Sequence, residues 1–331
     1  MSGDKPVQHL ELQKHLQSVL PQQGRSALSS SVIPTLVQCI HQIAEILRSS
    51  QQVSQVGTAN AFGDDQLNVD VLAEDVIRKG IATCPSIATA SSEEDPVEKS
   101  VQTTSRSDET GETYTLAFDP LDGSSIIAPN WSVGTIIGIW EGASALNQSP
   151  EKQIAAILGV FGPRTTAIVA VNVPGSQSAC FELGINQSTS EVIRSTVQLA
   201  SLPFKTRYFA PANLRAAAED EQYMKLVNHY ISNKYTLRYS GGLVPDVFHA
   251  FVKGHGIYIS PVTEKSKAKL RRLYELAPVA LIIECAGGKA VDAATGSRIL
   301  ERQIQDCDER AGIICGTTEE VDFVVKEFGL Q

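Results

Sequence analysis

Four strand-like segments in the middle of the chain constrain its fold more than any other feature. Residues 114–118, 133–140, 154–160 and 165–171 are rich in β-branched side chains, and residues typical of turns bound each segment. Segments of this kind form extended strands that pair with one another. The pattern therefore predicts one large sheet in the middle of the chain.

Helices are predicted on both sides of these strands. Apolar residues recur at helical spacing over 33–47, and a second helix is expected near 69–81, after a polar loop over 48–65. A short strand near 87–90 follows, and the charged segment 95–112 predicts an exposed connection to the next strand. The last third alternates helices with short strands, with helices predicted at about 219–230, 243–252, 267–287 and 319–327 and a strand at 237–239.

Composition and charge exclude several classes of protein. The chain has 331 residues, of which 42% are hydrophobic and 20% are charged, so it can bury a large core. Its net charge of −9 argues against a nucleic-acid partner or an anionic membrane surface. The sequence has neither the apolar stretch of a secretory signal nor a run of about 18 apolar residues. We therefore expect a cytoplasmic protein without a membrane partner.

Cysteine spacing and common catalytic motifs narrow the chemistry further. The six cysteines form no C-x-x-C pair, which indicates neither a disulfide framework nor a zinc site. The sequence contains no G-x-S-x-G, no P-loop, no H-E-x-x-H and no G-x-G-x-x-G motif. The absence of these motifs disfavours serine hydrolases, P-loop enzymes, zinc proteases and dinucleotide-binding enzymes.

The stretch 118–125, with the sequence FDPLDGSS, is the most informative motif. It lies where a hydrophobic strand ends, and a proline stiffens the turn between Asp119 and Asp122. Both carboxylates, with the Leu121 carbonyl, can converge on one hard cation, and Gly123 and Ser124 leave room for a phosphate near the backbone N–H groups. The alternative is an ordinary turn, which Asp-Pro and Asp-Gly dipeptides usually form.

Further acidic residues lie near this motif in the predicted structure. Glu93 and Glu94 follow the predicted strand at 87–90, and Asp64 and Asp70 lie on the loop and helix before it. Carboxylates gathered in one site raise each other's pKa unless a cation or proton compensates. Each residue alone is more often a solvated surface charge. The hypothesis of a metal site therefore depends on their assembly in the fold.

A basic run in this acidic chain is suited to a bound dianion. It comprises Lys265, Lys267, Lys269, Arg271 and Arg272. The alternative is a solvated helix end, which is how most charge runs are used.

Taken together, these motifs resemble the ordered signature of the fructose-1,6-bisphosphatase family over about residues 55–325. The motifs are Gly63-Asp64 with Asp70, the pair Glu93-Glu94 after Ser92, the FDPLDGSS stretch, and the segment 269–275. Segments 62–67, 162–166, 213–216 and 241–247 are similar to the sedoheptulose-1,7-bisphosphatase branch of that family. The resemblance implies a layered α-β-α-β-α architecture of the α/β class with mixed sheets. It also implies a metal-binding, catalytic half at 1–200 and a sugar-phosphate-binding half at 201–331.

The resemblance also implies a reaction and a set of residues. The reaction is Mg²⁺-dependent hydrolysis of the 1-phosphate of sedoheptulose 1,7-bisphosphate, with two or three Mg²⁺ ions per subunit, for which Mn²⁺ can substitute. The implied metal ligands are Asp64, Glu93, Asp119, the Leu121 carbonyl, Asp122 and Glu275, and the implied proton relay is Asp70 with Glu94. The implied substrate-binding residues are Gly123, Ser124, Asn213, Arg238, Tyr239, Gly241, Leu243, Lys269 and Arg271.

Other functions remain open at this stage. A fructose-1,6-bisphosphatase or an enzyme of dual specificity is the nearest alternative, and an inositol-monophosphatase-like enzyme is a more distant one. A catalytically inactive sugar-phosphate sensor is disfavoured, because the implied ligands and relay residues are all retained. In the family pattern Arg238 reaches a neighbouring subunit, so a homo-oligomer, either a dimer or a tetramer, is expected.

Several residues depart from the fructose-1,6-bisphosphatase pattern. Ile126, Ala216 and Ser260 all agree with the sedoheptulose branch, whereas Ala128 departs from both branches. Glu141 stands where AMP-regulated relatives carry an arginine, so AMP inhibition is not expected. The segment 57–63 contains no cysteine, so the redox control of light-regulated relatives is not expected either.

Overall fold

The structure is a computed structural model that describes residues 10–21, 24–59, 65–102, 110–186 and 189–330. The α-helices in these ranges are α1 (Leu12–Val19), α2 (Ile33–Ser49), α3 (Asn68–Ile81), α4 (Ser124–Ile127), α5 (Glu221–Ser232), α6 (Leu243–Lys253), α7 (Ala277–Cys285) and α8 (Thr318–Glu327). The strands up to residue 194 are β1 (Leu10–Glu11), β2 (Gln55–Ala59), β3 (Asp65–Leu67), β4 (Ile87–Ser92), β5 (Lys99–Ser100), β6 (Tyr114–Asp122), β7 (Val133–Glu141), β8 (Gln153–Phe161), β9 (Thr165–Val171), β10 (Ala179–Ile185) and β11 (Ser190–Arg194). The later strands are β12 (Tyr208–Pro211), β13 (Thr236–Leu237), β14 (Ile257–Ser260), β15 (Leu270–Arg271), β16 (Lys289–Asp292), β17 (Arg310–Ala311) and β18 (Ile313–Gly316).

The predicted central sheet is confirmed and is larger than the four segments that indicated it. Its nine strands have the order β1-β11-β10-β9-β8-β7-β6-β4-β5. Most neighbours are antiparallel, but β4 and β6 run parallel. Every residue of β6 is buried, because helices cover both faces of the sheet.

Alternating side chains of the central strands face two different helical layers. In β8, Ala155 and Ile157 pack with α2 and α3, whereas Ala156 and Leu158 pack with α6 and α7. Successive side chains of a strand point to opposite faces, so one short apolar run contributes to two cores. Helices α6 and α7 thus form the middle layer of the molecule.

A second sheet covers the other side of this middle layer. Its five strands have the order β13-β12-β14-β18-β16 and include parallel and antiparallel pairs. Helices α5 and α8 pack on its far face around Tyr223, Tyr230 and Val321. The layers therefore alternate helix, sheet, helix, sheet, helix, which confirms the predicted α/β architecture.

The long helix α2 is tied to the start of β6 by one carboxylate. Helical structure begins at 26–27 and continues through a π-helical turn, Leu28–Val32, into α2. Glu112 accepts hydrogen bonds from Ala27 N (3.0 Å), Leu28 N (3.2 Å), Ser26 Oγ (3.1 Å) and Tyr114 Oη (2.6 Å). The donors from Ser26, Ala27 and Leu28 belong to the open N-terminal turn of a helix, where a negative charge is favoured.

Two predicted boundaries are wrong. The segment 48–65 is not all loop, because β2 and β3 pair as an antiparallel hairpin. The predicted helix at 267–287 begins with a π-helical turn at Arg272–Leu276 and continues as α7. Leu270 and Arg271, directly before it, form β15, which pairs with β17, so only Arg272 of the basic run lies in the helical segment. This pairing joins segments distant in sequence and overrides the local helical pattern.

No helix in the described part of the chain has the length and apolar character needed to cross a bilayer. All six cysteines are free thiols: four are buried, and Cys285 and Cys307 are partly exposed.

Candidate active site

The site begins where two parallel strands end at the same edge of the large sheet. Ser92 at the end of β4 pairs with Phe118 of β6, and Glu93 N donates to Phe118 O (3.0 Å). Glu93 and Asp119 therefore leave the sheet side by side. The strand register shifts between Asp119 and Asp122, where Pro120 and Leu121 interrupt the pairing of β6 with β7.

Glu93, Asp119 and Glu275 form a compact group of carboxylates. One oxygen from each lies within 4.8 Å of the other two. Asp119 and Glu275 are buried, and Glu93 is partly exposed. Glu275 comes from the π-helical turn before α7, and its Oε2 accepts a hydrogen bond from Arg271 N (2.5 Å). Turns of this kind often occur at functional sites.

The electrostatics of this group favour a bound cation. Burial raises the pKa of Asp119 well above its usual value, and the charges of Glu93, Asp122 and Glu275 raise it further. Burial, followed by the charge of Glu93, also raises the pKa of Glu275. Hard divalent cations prefer oxygen ligands and would relieve this repulsion. The residues present therefore fit a divalent metal ion.

Arg271 supplies positive charge to the same group. It is buried, and its Nη1 forms an ion pair with Glu93. Its Nε lies 3.7 Å from Asp308 Oδ1. Lys269, two residues earlier, is exposed, whereas Arg272 is buried and forms an ion pair with Asp292.

Asp122 lies beside the three carboxylates and holds the start of α6. Its oxygens accept hydrogen bonds from Leu243 N (3.1 Å) and Val244 N (2.6 Å). Burial raises its pKa to about 7, although these two hydrogen bonds act in the opposite direction. Asp122 thus connects the end of β6 to the segment that carries Gly241 and Leu243.

Asp70 and Ser124 lie together at the turn that follows Asp122. Ser124 Oγ donates to Asp70 Oδ1 (3.2 Å) and lies 3.4 Å from the Leu121 carbonyl oxygen. Asp70 Oδ2 accepts from Leu67 N (3.0 Å), which fixes the carboxylate at the start of α3. Burial raises the pKa of Asp70 to about 7, and the charge of Glu94 contributes.

Glycines allow the close approach of two loops, the turn at Gly123 and the loop at Gly241 and Gly242. Gly123 has φ 102° and Gly241 has φ 107°, a region that favours glycine. A Cβ at Gly241 or Gly242 would lie 3.3 or 3.2 Å from side-chain carbons of Ile126. Ile126 therefore packs between the turn at Gly123 and the loop at Gly241.

Asn213 and Tyr239 lie close together in the structure, although in sequence they are distant from Glu93, Asp119 and Asp122. Asn213 has φ 48° and precedes a 3₁₀ turn, Leu214–Ala218. Burial raises the pKa of Tyr239, and a hydrogen bond with the Asn213 backbone acts in the opposite direction. Tyr258, buried in β14, lies near both Tyr239 and Asp122, which connects the two parts of the site.

Asp246 is a residue of this region that the sequence analysis missed. Its carboxylate accepts hydrogen bonds from Ser240 N (2.6 Å) and Gly241 N (3.1 Å). It therefore fixes the loop between Tyr239 and α6. An acidic residue in the first turn of a helix that follows two glycines is the signal that could have indicated it.

Arg238 does not lie among the carboxylates. Arg238 is exposed, its Nη1 donates to Leu237 O (2.8 Å), and it lines a cavity of about 820 Å³ with Tyr239 and Trp131. Its predicted contact with another subunit stays a prediction. Asp64 lies outside the described residues, so its expected role as a ligand also stays a prediction.

Comparison with known proteins shows which family this chain matches. Residues 8–190 match the family model of the fructose-1-6-bisphosphatase N-terminal domain, and residues 202–328 match that of the C-terminal domain. The chain is 39% identical over 268 residues to the chloroplastic sedoheptulose-1,7-bisphosphatase of Triticum aestivum, covering 80% of this chain and 65% of that protein. It thus spans slightly less than two thirds of the wheat protein's length.

Two further relatives are matched over a larger share of their own lengths. The class 1 fructose-1,6-bisphosphatase of Syntrophotalea carbinolica is 36% identical, over 86% of this chain and 87% of that protein. The crystal structure of a candidate sedoheptulose-1,7-bisphosphatase from Toxoplasma gondii is similar with a TM-score of 0.84 and 33% identity, over 97% of this chain and 98% of that chain. The chain therefore belongs to the fructose-1,6-bisphosphatase family.

Proposed function

We propose that the protein hydrolyses the 1-phosphate of sedoheptulose 1,7-bisphosphate, which yields sedoheptulose 7-phosphate and inorganic phosphate. The observation that carries this proposal is the compact carboxylate group of Glu93, Asp119 and Glu275, near the turn at Gly123 and Ser124. A second polar site, at Asn213 and Tyr239, accounts for a substrate with two phosphates.

In this proposal Glu93, Asp119, Asp122, Glu275 and the Leu121 carbonyl hold two or three Mg²⁺ ions. Asp64 is a further ligand, and Mn²⁺ can replace Mg²⁺. The bound ions lower the pKa of a water molecule and neutralise charge on the phosphate.

The remaining residues move a proton and position the 1-phosphate. Asp70 and Glu94 accept the proton of the attacking water, whose oxygen forms the new bond to phosphorus as the bond to the sugar oxygen breaks. The raised pKa of Asp70, about 7, suits a group that exchanges protons near neutral pH. Gly123, Ser124 and Arg271 hold the phosphate through N–H groups and positive charge.

The distal phosphate is assigned to the second polar site. Asn213, Tyr239 and Lys269 bind it, and Gly241 and Leu243 contact the sugar. Arg238 of a neighbouring subunit completes the site, which requires a homo-oligomer, either a dimer or a tetramer. The segments 1–200 and 201–331 then supply the metal-binding and sugar-phosphate-binding halves.

Specificity for seven carbons is supported by particular residues and by relatives. Ile126 packs against both glycine loops, so an apolar side chain occupies the space between the two phosphate sites. Ala216 and Ser260 agree with the sedoheptulose branch: Ala216 is fully buried and donates its N–H to Asn213 O (2.8 Å), and Ser260 ends β14. The similarity to the wheat sedoheptulose-1,7-bisphosphatase supports this choice. Fructose 1,6-bisphosphatase activity is the second candidate, supported by the bacterial class 1 relative.

A phosphate-release assay tests this proposal. Initial rates with the seven-carbon and six-carbon bisphosphates at fixed Mg²⁺ should give the larger kcat/KM for sedoheptulose 1,7-bisphosphate. Excess EDTA should abolish turnover, and added Mg²⁺ or Mn²⁺ should restore it. A larger kcat/KM for fructose 1,6-bisphosphate would contradict the specificity, and full turnover in EDTA would contradict the metal requirement.

We also propose a cytoplasmic location, on the composition described above. The chloroplastic relatives make a plastid the alternative. Imaging of the full-length chain with a C-terminal fluorescent tag distinguishes the two.

A further inference from the structure

A partly buried ion pair on α3 contacts the turn that carries Glu93 and Glu94. Glu74 and Arg78 are one helical turn apart, and Arg78 Nε donates to Glu74 Oε1 at 2.7 Å. Their side chains are 15% and 25% exposed. The next pair on the same helix, Asp75 and Lys79, has the same spacing but is 58% and 78% exposed. The Glu74–Arg78 pair therefore faces the protein, whereas its neighbour faces solvent.

Ser92 connects this ion pair to the metal-binding turn. Its side chain is fully buried, and its Oγ donates to Glu74 Oε1 (2.9 Å). The same Oγ accepts a hydrogen bond from Asp95 N (3.0 Å), and Ser92 N donates to Asp95 O (3.1 Å). Ser92 directly precedes Glu93, so Glu74 holds the turn that presents Glu93 and Glu94.

Arg78 contacts both strands that end at the site. Its Nη1 donates to Ala90 O in β4 (3.2 Å), and its Nη2 lies 3.7 Å from Asp95 Oδ2. The guanidinium also lies over the ring of Phe118, 5.3 Å from its centre, directly before Asp119 in β6. One side chain thus contacts the residues next to two of the three clustered carboxylates.

The same helix carries Asp70 in its first turn. Glu74 and Arg78 follow Asp70 at intervals of four residues, so all three lie along one stripe of α3. Through Glu74 and Arg78, this stripe fixes the distance between Asp70 and the turn of Glu93 and Glu94.

We propose that Glu74 and Arg78 are positioning residues that hold Ser92, and through it Glu93 and Glu94, in the geometry that binds the metal. This inference rests on the proposed function, because it concerns the same metal site. The clustered carboxylates repel one another, and a cation binds most tightly when the fold has already brought them together. Residues that orient metal ligands typically contribute a factor of about 10–100 in metal affinity.

Direct Mn²⁺ binding, measured by electron paramagnetic resonance without substrate, tests the inference independently of turnover. Glu74→Ala and Ser92→Ala should each weaken Mn²⁺ binding by roughly 10-fold or more. Glu74→Gln and Ser92→Thr keep an acceptor or a hydroxyl at the same place, so they should recover most of the affinity. The double variant Glu74→Ala, Ser92→Ala should bind no more weakly than either single variant, because both changes remove one connection.

The matched control is Lys79→Met, which removes a cation from the exposed pair and should leave Mn²⁺ binding and thermal stability unchanged. Far-ultraviolet circular dichroism establishes that each variant is folded. Arg78→Met, which removes the cation of the partly buried pair, should weaken Mn²⁺ binding, and if it does not fold, the Glu74→Ala and Ser92→Ala variants still decide the question. Saturating Mn²⁺ should restore most of kcat in the Glu74→Ala and Ser92→Ala variants, because the change affects metal binding first.

The possible results distinguish a failure of this inference from a failure of the proposed function. Wild-type affinity in folded Glu74→Ala and Ser92→Ala variants would overturn the inference and leave the phosphatase proposal intact. A wild-type protein that binds no Mn²⁺ would overturn both.

Discussion

Carboxylates at the two ends of β6 have opposite electrostatic environments. Before the strand, Glu112 accepts four hydrogen bonds, and Glu141 on the neighbouring strand pairs with Arg25 (2.7 Å) and Lys152 (3.1 Å). Burial raises the pKa of Glu112, but the hydrogen bonds outweigh it and the net shift is downward. After the strand, Asp119 is surrounded by other carboxylates, and its pKa is raised.

The contrast shows how negative charge can serve two purposes in one fold. At the start of β6 each carboxylate has enough donors, so its charge stabilises the connection between α2 and the sheet. At the other end the carboxylates exceed the positive charge that Arg271 brings. That excess is the basis for proposing a metal site there.

The largest expected effect comes from Asp119→Asn. Loss of this charged ligand should lower kcat/KM by roughly 10³-fold or more, because metal ions contribute several kcal/mol to stabilising the transition state. In EDTA the same variant should be at least as stable as wild type, because a source of repulsion is gone. Thermal unfolding and initial rates measure the two effects. A variant that keeps wild-type activity would remove the basis for the comparison.

Glu94→Gln should separate proton transfer from metal binding at the same end of the strand. A positioned general base contributes about 10²–10⁴-fold in rate, so kcat should fall within that range. Mn²⁺ binding should change little, because Glu94 is not among the three clustered carboxylates. The check is single-turnover kinetics beside direct Mn²⁺ binding. A kcat near that of wild type would show that another group takes the proton.

The pH dependence of stability should differ between the two ends. Burial raises the pKa of Asp70 and Asp122 to about 7, so the folded chain keeps these protons up to that pH, whereas the unfolded chain releases them near pH 4. Without divalent cations, stability should therefore fall as the pH rises from about 4 to about 7. We expect a loss of roughly 5 °C or more in Tm, which saturating Mg²⁺ should reverse.

The contribution of Glu112 to stability should depend on pH in the opposite direction. Its pKa is lowered in the folded chain, so its contribution is present above its unfolded pKa and is lost as the pH falls through the folded value. A Tm in EDTA that stays constant from pH 4 to pH 7 would contradict the assignment of raised pKa values to Asp70 and Asp122.

The smallest effect is expected for Glu112→Gln. The change removes a charge that accepts hydrogen bonds at the start of a helix, and losses of this kind cost about 1 kcal/mol. The free energy of unfolding from urea titration should fall by this amount, while kcat and Mn²⁺ binding stay unchanged. A strong loss of activity would mean that the two ends of β6 are coupled.

Much of the fold could be predicted from the sequence, because the decisive patterns are local. The β-branched segments predicted β7 to β9 within a residue or two, and helical spacing predicted α2 and α3. The start of the helix near Glu275 could not be predicted. It depends on the pairing of Arg271 with Arg310 and on the hydrogen bond from Arg271 N to Glu275.

The candidate site followed from the sequence in part. The FDPLDGSS stretch and the Glu93-Glu94 pair indicated oxygen ligands, and the structure brings Glu93, Asp119 and Glu275 together. The hydrogen bonds of Asp122 to α6 and the support of Ser92 by Glu74 were not predicted. Both join elements through tertiary packing, which has no signature in local spacing.

The parallel pairing of β4 with β6 also has a consequence for folding kinetics. Parallel neighbours require a crossover connection, and Glu275 joins them from a far more distant segment. Contacts between distant segments form slowly, because the entropy of closing the loop must be overcome first. We therefore expect the carboxylate group to be complete only after the transition state for folding. A cation that binds it should slow unfolding and leave the refolding rate unchanged.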